Sequence, residues 1–355
     1  ELFGEVQFLR AYYYFELAKI FGDVPLFTQS RLTAGDSSTL QRTPVSEVYA
    51  QIEADLQAAI SALPAAKSLD GRATSFTAHA LLGKVYLYQD KFDEAAGILE
   101  PLVGLYTLVP DLQNVFLTSG ENGSESVFEV QHSKNSNWWD WGFPQGSEGS
   151  FGVIHHGIRG YNGSVYAQGW SFNVPTKDLY DAYADGDSRR SVALLDIVAW
   201  AKIDSAEYAE GYEHTGYFNH KYIPREGATS AQGELNYETN YRAIRYADVL
   251  LMAAEANNRK TSADDVKAQN YLNQVRARAF GNDSKASSST GVTLTQEIWD
   301  ERRLELAMEG QRFFDLVRTG EAATKIEGFV SGKHEVFPIP QTEIDISGLT
   351  QNSGY

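Results

Sequence analysis

Charged residues stand at core positions of one helical segment near the C-terminus, residues 301–316. Thr293 and Gln296 form the pattern of a capping box ahead of it, which predicts a helix over residues 294–310. Helical spacing gives two stripes that mix apolar and charged residues: Leu294, Ile298, Glu301, Glu305 and Met308, and then Trp299, Arg302, Leu306, Glu309 and Phe313. An unpaired charge is costly to bury. The sequence therefore predicts ion pairs, within this helix or with neighbouring helices, that specify how the helices dock.

A helical-repeat pattern lies in the first third of the chain. Apolar periodicity predicts helices at residues 1–21, 46–63, 73–89, 92–104, 242–259, 263–280, 294–310 and 312–320. Within residues 79–102, the spacing of a tetratricopeptide repeat is kept by Leu82, Gly83, Tyr86, Phe92, Ala95 and Leu99. The small Gly83 lets the two helices approach, and Tyr86 and Phe92 fill the groove between them. The proline that usually closes such a repeat is missing.

The middle of the chain, residues 105–240, loses helical periodicity. Glycine, serine, asparagine and aromatic residues concentrate there, residues 126–130 alternate as a strand does, and residues 178–183 suggest a short helix. A loop-rich segment of this length usually carries function. The sequence predicts a mainly α fold in a single domain, residues 1–355. Its parts are a tetratricopeptide-like helical-repeat scaffold (1–104 and 241–325), a loop-rich, partly β ligand-binding insertion (105–240) and an extended C-terminal tail (326–355).

The charge balance of the chain is acidic, with a formal net charge of -17. Phosphate binding needs a basic surface, so the composition argues against nucleic acid as a partner and against a polyanionic substrate. Cysteine is absent, which excludes a disulfide framework, a thiol nucleophile and a cysteine metal site. No apolar run is long enough to span a bilayer.

Motifs for catalysis or for metal binding are missing from the sequence. It has no HExxH, GxSxG, Walker or dinucleotide-binding pattern. Glycoside hydrolysis needs two carboxylates that flank an open cleft, whereas Glu301, Glu305 and Glu309 share one helix with apolar residues. Metal-ligand spacing is absent from the most suggestive residues, His155, His156, Asp181, Asp185 and Asp187. The sequence predicts a protein that is not an enzyme and that holds neither a metal nor a cofactor.

Blocks along the whole chain resemble the SusD/RagB family of surface glycan-binding lipoproteins. Besides the helical segment 301–316, these blocks are residues 8–15, 21–26, 244–256, 273–279, 337–344 and 351–355. Residues 105–240 match only in outline. The resemblance implies an α-helical core, built around tetratricopeptide-like repeats, that carries a sugar site on its loops.

The same resemblance implies a location and partners. Members of the SusD/RagB family are lipid-anchored on the outer face of a Bacteroidetes-type outer membrane. They capture oligosaccharide or polysaccharide and form a lid on a SusC-like TonB-dependent transporter. Some members handle peptides. Helical spacing already holds at the start of this chain, in Leu2, Val6, Leu9, Tyr13 and Leu17. We therefore expect an N-terminal segment ahead of residue 1, and by resemblance it would carry the lipid anchor.

The strongest candidates for sugar contacts lie in the predicted insertion. Sugars present flat C–H faces, on which aromatic rings stack, and hydroxyls, which amide and charged side chains bind. The predicted glycan-binding residues are Asn137, Trp138, Trp139, Trp141, Arg159, Tyr161, Tyr166 and Trp170, with Asn162 and Gln168 nearby. Tryptophans at three of the four positions 138–141 do not all fit one core, so we expect at least one to be exposed. The alternative is that these aromatics pack the insertion onto the helices.

Two weaker sets of candidates complete the sequence-based picture. They are the group Tyr212, His214, Tyr217 and Phe218 and, by resemblance alone, residues 27–31. The leading hypothesis is non-catalytic glycan binding and delivery to a transporter. A helical-repeat protein-interaction or peptide-binding module without sugar binding is the alternative, and it predicts buried tryptophans. A helical glycoside hydrolase is the third, and it predicts two close carboxylates in the largest pocket.

Overall fold

The computed structural model describes residues 1–28, 31, 33, 40–135, 148–229 and 236–355. Helices make up most of its regular structure, which confirms the predicted mainly α fold. They are α1 (Leu2–Phe21), α2 (Val45–Ala62), α3 (Ser75–Leu87), α4 (Phe92–Leu99), α5 (Leu112–Val115), α6 (Gly152–His155), α7 (Lys177–Ala182), α8 (Arg189–Ala193), α9 (Ile197–Asp204), α10 (Tyr246–Arg259), α11 (Asp265–Phe280), α12 (Gly291–Glu305), α13 (Arg312–Arg318), α14 (Ala322–Lys325) and α15 (Gln341–Ser347). The strands are β1 (Ser126–Val130), β2 (Leu194–Asp196), β3 (Tyr217–Asn219) and β4 (Tyr241–Arg245).

Two compact units divide the chain. The first unit contains Glu1–Ser68, Arg72–Leu99 and Arg312–Tyr355, and the second contains Leu69–Gly71 and Glu100–Gln311. These boundaries differ from the predicted grouping of residues 1–104 with 241–325, and the single domain stays a prediction. None of the helices in the described ranges combines the length and the apolar character needed to cross a membrane.

The first unit contains the predicted helix pair of the tetratricopeptide type, α3 and α4. Thr74 caps α3 through a reciprocal pair of hydrogen bonds with Thr77, at 3.1 and 3.3 Å. A Cβ atom on Gly83 would lie 2.5 Å from Leu99 Cγ, so only glycine allows this approach of the two helices. The predicted role of Gly83 is therefore confirmed. The packing continues to α1 and α2, where Arg10 Nε donates to Asp55 Oδ2 at 2.7 Å.

The end of the chain departs from its prediction. Residues 326–355 were expected to be extended, but α15 forms there, between Pro340 and Gly348. Proline is well suited to the start of a helix, and Gly348 ends it in the left-handed conformation with φ 71°. The same segment is tied back to α1, because Asn352 Nδ2 donates to the Phe21 carbonyl at 3.0 Å.

In the second unit, α10, α11 and α12 pack together, and β1 pairs antiparallel with β4. The strand predicted at residues 126–130 is confirmed as β1, and α7 confirms the short helix expected near residues 178–183. The helix predicted from residue 242 begins only at Tyr246, because residues 241–245 form β4. Backbone groups of β1 need partners, and this tertiary pairing outweighs the local helical pattern.

The charged helix is α12, and its start was predicted wrongly. Thr290 is its N-cap and not Thr293, and it ends at Glu305, followed by a turn that contains Met308 and Gly310 at φ 65° and 80°. The prediction of ion pairs is confirmed. Glu305 is fully buried, and the partners of the buried carboxylates in α12 and the following turn are Arg189, Lys221, Arg245, Arg276 and Arg278.

Candidate functional site

Four aromatic side chains of the second unit form one cluster, which we call the aromatic surface: Phe151, His155, Trp170 and Phe172. The ring centroids of Trp170 and Phe172 lie 5.5 Å apart, and those of His155 and Phe172 lie 5.7 Å apart, nearly stacked at 27°. Phe151 meets Trp170 edge to face at 5.8 Å. Phe172 is 66% exposed and Trp170 is half-buried, so the cluster presents aromatic area to solvent on a packed base.

Two close backbone approaches hold the aromatic surface in shape. The N–H groups of Trp170 and Phe172 donate to the carbonyls of Ile154 and His155, both at 2.9 Å. Ser171 between them takes a left-handed turn with φ 56°, and the 5.5 Å separation of the Trp170 and Phe172 ring centroids shows that the two rings share a face. A Cβ on Gly157 would lie 2.7 Å from the Gly169 Cα, so the two chain segments meet only because glycine stands there.

Arg159 adds a charged group beside these rings. Its Nη2 donates to the Trp170 carbonyl at 2.7 Å, and its guanidinium carbon lies 6.0 Å from the centre of the Phe172 ring. The residue is exposed. A guanidinium held at the edge of an aromatic face presents donors to hydroxyls or carbonyls of a ligand that stacks there.

A pocket of about 190 Å3 adjoins the aromatic surface. We call it the histidine pocket. Its lining contains residues next in sequence to those of the aromatic surface, since His156 follows His155, Asn173 follows Phe172, and Gly152 follows Phe151. The rest of the lining is Ser150, Val153, Tyr222, Thr239, Asn240, Tyr241, Met308, Glu309 and Gly310.

The lining of the histidine pocket combines apolar area with several polar groups, and the charge in its described part is compensated. Burial, together with the neighbouring His155, lowers the pKa of His156 to about 4, so its imidazole is neutral near pH 7. Glu309 is paired on both oxygens, with Lys221 Nζ at 2.6 Å and with Arg245 at 2.8 Å. Such a lining favours a neutral, hydroxyl-rich ligand.

Of the residues predicted for sugar binding, Trp170 and Arg159 come together at the aromatic surface. Tyr161 and Tyr166 do not, because they are only 6% and 3% exposed in a core with Ile158, Leu195 and Phe218. Trp200 Nε1 donates to the Tyr161 hydroxyl at 2.9 Å, and the Tyr166 hydroxyl bonds His220 Nε2 at 2.9 Å. Their ring faces are covered by protein in the described structure, which leaves little surface on which a sugar could stack.

The remaining predicted residues, Asn137, Trp138, Trp139 and Trp141, lie outside the described residues, and their role stays a prediction. In the weaker group, Phe218 is buried, Tyr217 stacks on Tyr180 at 4.3 Å, and Tyr212 is exposed. The sequence-based reasoning missed Phe151, His155 and Phe172. The alternation of aromatic residues at 170 and 172 was the signal that could have found Phe172.

The carboxylates and aspartates considered for catalysis or calcium are engaged elsewhere. Glu301 accepts from Arg276 Nε at 2.8 Å, and Asp187 binds Arg189 through both oxygens at 2.9 and 2.7 Å. Across the ranges that the structure describes, no group of three or more acidic or histidine side chains is arranged to hold a metal ion.

Fold and site together define a tetratricopeptide-like helical protein whose second unit carries the aromatic surface, with polar groups beside it. Two family models match the chain: the SusD family over residues 195–335, and a family described as "Starch-binding associating with outer membrane" over residues 1–87. SusD-like protein P2 of Formosa agariphila is 32% identical over 390 residues, covering 99% of this chain and 74% of that protein. The chain belongs to the SusD/RagB family.

Solved structures agree with that assignment. A protein described as a laminarin binding SusD-like protein has 40% sequence identity and a TM-score of 0.89, over 99% of this chain and 78% of that one. Surface glycan-binding protein A from Bacteroides thetaiotaomicron, solved in complex with laminarihexaose, has 28% identity and a TM-score of 0.84, over 98% of this chain and 77% of that one.

Proposed function

We propose that this protein binds a glycan of the laminarin type at the aromatic surface and does not cleave it. The observation that carries the proposal is the exposed Phe172 beside Trp170, edged by Arg159. It is supported by similarity to a laminarin-binding protein and to a protein solved with laminarihexaose.

Stacking and hydrogen bonding together would provide the affinity. The flat C–H face of a glucose ring fits an exposed aromatic side chain, and burial of that contact is favourable by the hydrophobic effect. The exposed guanidinium of Arg159 would bind the hydroxyls at the edge of the same ring. The four residues predicted from the sequence, Asn137, Trp138, Trp139 and Trp141, would extend these contacts.

Binding without cleavage is favoured by the state of the carboxylates. A glycoside hydrolase needs one carboxylic acid free to donate a proton and a second carboxylate free to act as base or nucleophile. Glu305 is held among Arg189, Arg245 and Arg278. Burial would raise its pKa, but the attraction of Arg278 and the other arginines outweighs burial and holds the pKa well below its usual range. A carboxylate of this kind is a poor general acid at neutral pH.

The cellular role that we propose is the one expected for the family. The protein would lie on the outer face of an outer membrane, held by a lipid anchor, and would pass captured oligosaccharide to a SusC-like TonB-dependent transporter. One family model that matches the chain is described as associating with the outer membrane, and several similar structures are described as surface glycan-binding proteins. Co-purification with a transporter from membranes tests this part of the proposal.

Calorimetric titration against a panel of soluble glycans tests the binding. We expect laminarin and laminarihexaose to bind, and Phe172→Ala to weaken binding about tenfold, because an aromatic contact contributes ~1 kcal/mol beyond its area. Phe3→Ala is the matched control, since Phe3 is 73% exposed in the first unit. If no glycan binds but a peptide library does, the interaction-module hypothesis takes over. Release of sugar from polysaccharide would contradict binding without cleavage.

A further inference from the structure

We infer that the histidine pocket is a subsite for one neutral hexose unit, at the end or on a branch of a glycan whose main chain crosses the aromatic surface. This inference rests on the proposed function. The pocket and the aromatic surface share a boundary, because both are built from the same two segments, 150–156 and 170–173. Some residues of each segment line the pocket, and their sequence neighbours form the aromatic surface. A chain lying on Phe172 would therefore have its next sugar within reach of Asn173.

The size of the pocket selects a single sugar ring. Its volume is about 190 Å3. Pockets that enclose drug-sized ligands measure roughly 300–1,000 Å3, so an oligosaccharide does not fit inside. One hexose with its hydroxyls does, provided that the rest of the chain remains outside.

Three polar side chains of the lining offer unused hydrogen-bonding capacity. The Asn173 amide nitrogen donates to His156 Nδ1 at 3.0 Å, which leaves the proton of the neutral imidazole on Nε2. Within the described parts of the chain, His156 Nε2, Asn173 Oδ1 and the Thr239 hydroxyl have no hydrogen-bond partner in the protein. They supply a donor, an acceptor and a group that acts as either, the combination that vicinal sugar hydroxyls need.

Aromatic rings supply the complementary apolar wall. The Tyr222 and Tyr241 ring centroids lie 6.1 Å apart at an angle of 37°, and His156 lies 6.2 Å from Tyr222 at 38°. The tilted rings form one side of the pocket, against which the C–H face of a sugar can pack. Tyr241 is anchored from behind by a 3.4 Å hydrogen bond from its hydroxyl to the Glu309 carbonyl.

The charge state of the pocket excludes acidic sugars. Glu309 contributes the charge in the described lining, and Lys221 and Arg245 are both committed to it. A uronate in the pocket would meet this carboxylate without a free cation to balance its own charge, which makes burial unfavourable. The inferred ligand is therefore neutral.

The rim of the pocket is held in an uncommon backbone conformation. Met308 adopts φ 65°, which is sterically costly for a side chain other than glycine, and its carbonyl accepts from Asn219 Nδ2 at 3.3 Å. Such strain is maintained only where surrounding structure enforces it, and it concentrates at ligand sites. A fixed rim fits a subsite that binds without rearrangement.

Titration of two pocket variants, Thr239→Val and Asn173→Ala, tests the inference beside Phe172→Ala. The ligands are laminarihexaose, the same hexaose with one β-1,6-linked glucose branch, and a hexaose that ends in glucuronate. We expect each pocket variant to lose roughly threefold to tenfold in affinity, the effect of one hydrogen bond, with an unchanged unfolding midpoint. Wild-type protein should bind the glucuronate-ended chain more weakly than the glucose-ended one.

The outcomes separate the two proposals. If the pocket variants lose affinity for the linear hexaose, the pocket binds the end of a chain. If they lose affinity only for the branched ligand, the pocket binds a branch. If both pocket variants bind every ligand as the wild type does, while Phe172→Ala still weakens binding, the subsite is wrong and the proposed function stands. If the wild-type protein binds none of the three, both fail.

Discussion

Arg245 and Glu309 form a two-point ion pair in the interior of the second unit, with Nε to Oε2 and Nη2 to Oε1 distances of 2.8 Å. The same guanidinium also donates to Glu125 at 2.8 Å and bonds Glu305. Burial alone would lower the pKa of Arg245, but Glu309 and Glu305 outweigh it, and the pKa lies well above its usual value. One arginine thus neutralises carboxylates from separate segments of the chain.

Removal of that arginine should be strongly destabilising. Arg245→Met leaves Glu305 and Glu309 buried with fewer partners, and we expect a loss of ~3–5 kcal/mol in the free energy of unfolding. Lys267→Ala is the control, because Lys267 pairs with Glu100 at 3.0 Å on the surface, where such a pair contributes ~0–1 kcal/mol. Urea denaturation measures both. Equal, small effects would contradict a structural role for the network.

Two glycines of the tetratricopeptide-like pair should respond to alanine in opposite directions. At Gly83 the added methyl group meets Leu99, and overpacking costs ~1–3 kcal/mol, partly offset by the better helix propensity of alanine. At Gly97 in α4 an added Cβ meets nothing within 4 Å, so Gly97→Ala should stabilise by up to ~1 kcal/mol. Thermal unfolding of both variants provides the measurement. A stable Gly83→Ala protein would mean that Leu99 moves freely aside.

Mild acid should destabilise the protein before its carboxylates titrate. Burial lowers the pKa of both His156 and His220 to about 4, from an ordinary value of 6.5. Between pH 4 and pH 6.5 the unfolded chain therefore binds more protons than the folded protein. The contribution of each neutral histidine to the free energy of unfolding is complete above about pH 6.5. It falls by ~3 kcal/mol for each histidine as the pH falls towards 4. A further loss follows below about pH 4.5, because the pKa of Glu305 is depressed.

Denaturation at several pH values checks this expectation. His156→Gln should flatten the dependence between about pH 6.5 and 4 while leaving the loss at lower pH in place. If wild type and variant lose stability in parallel over the whole range, His156 is not neutral in the folded protein.

The tryptophans predicted from the sequence need their own test. The triple variant Trp138→Ala, Trp139→Ala, Trp141→Ala should lose glycan affinity by about tenfold or more while still unfolding cooperatively. The affinity of the Phe172→Ala variant, measured in the same titration, is the comparison. Wild-type affinity in the triple variant would confine the site to the aromatic surface and the histidine pocket.

Local sequence determined the helical architecture and the need for ion pairs. Helical spacing placed Glu301 and Glu305 among apolar residues, and a buried charge requires a partner whatever the fold. The glycine at position 83 likewise indicated a close helix approach. In contrast, the local pattern of residues 242–245 predicted a helix, and only the pairing with β1 made them a strand.

Tertiary structure alone decided which aromatic residues face solvent. Tyr166 and Phe172 both lie in the loop-rich segment, close to each other in sequence. Tyr166 is buried because His220 and Arg225, both more than fifty positions away in sequence, pack against it. In the described structure, the aromatic neighbours of Phe172 are those of the aromatic surface itself, and they leave most of its ring exposed. Burial depends on long-range contacts that periodicity does not encode, so the sequence determined the kind of residue available for binding and the fold selected those that are accessible.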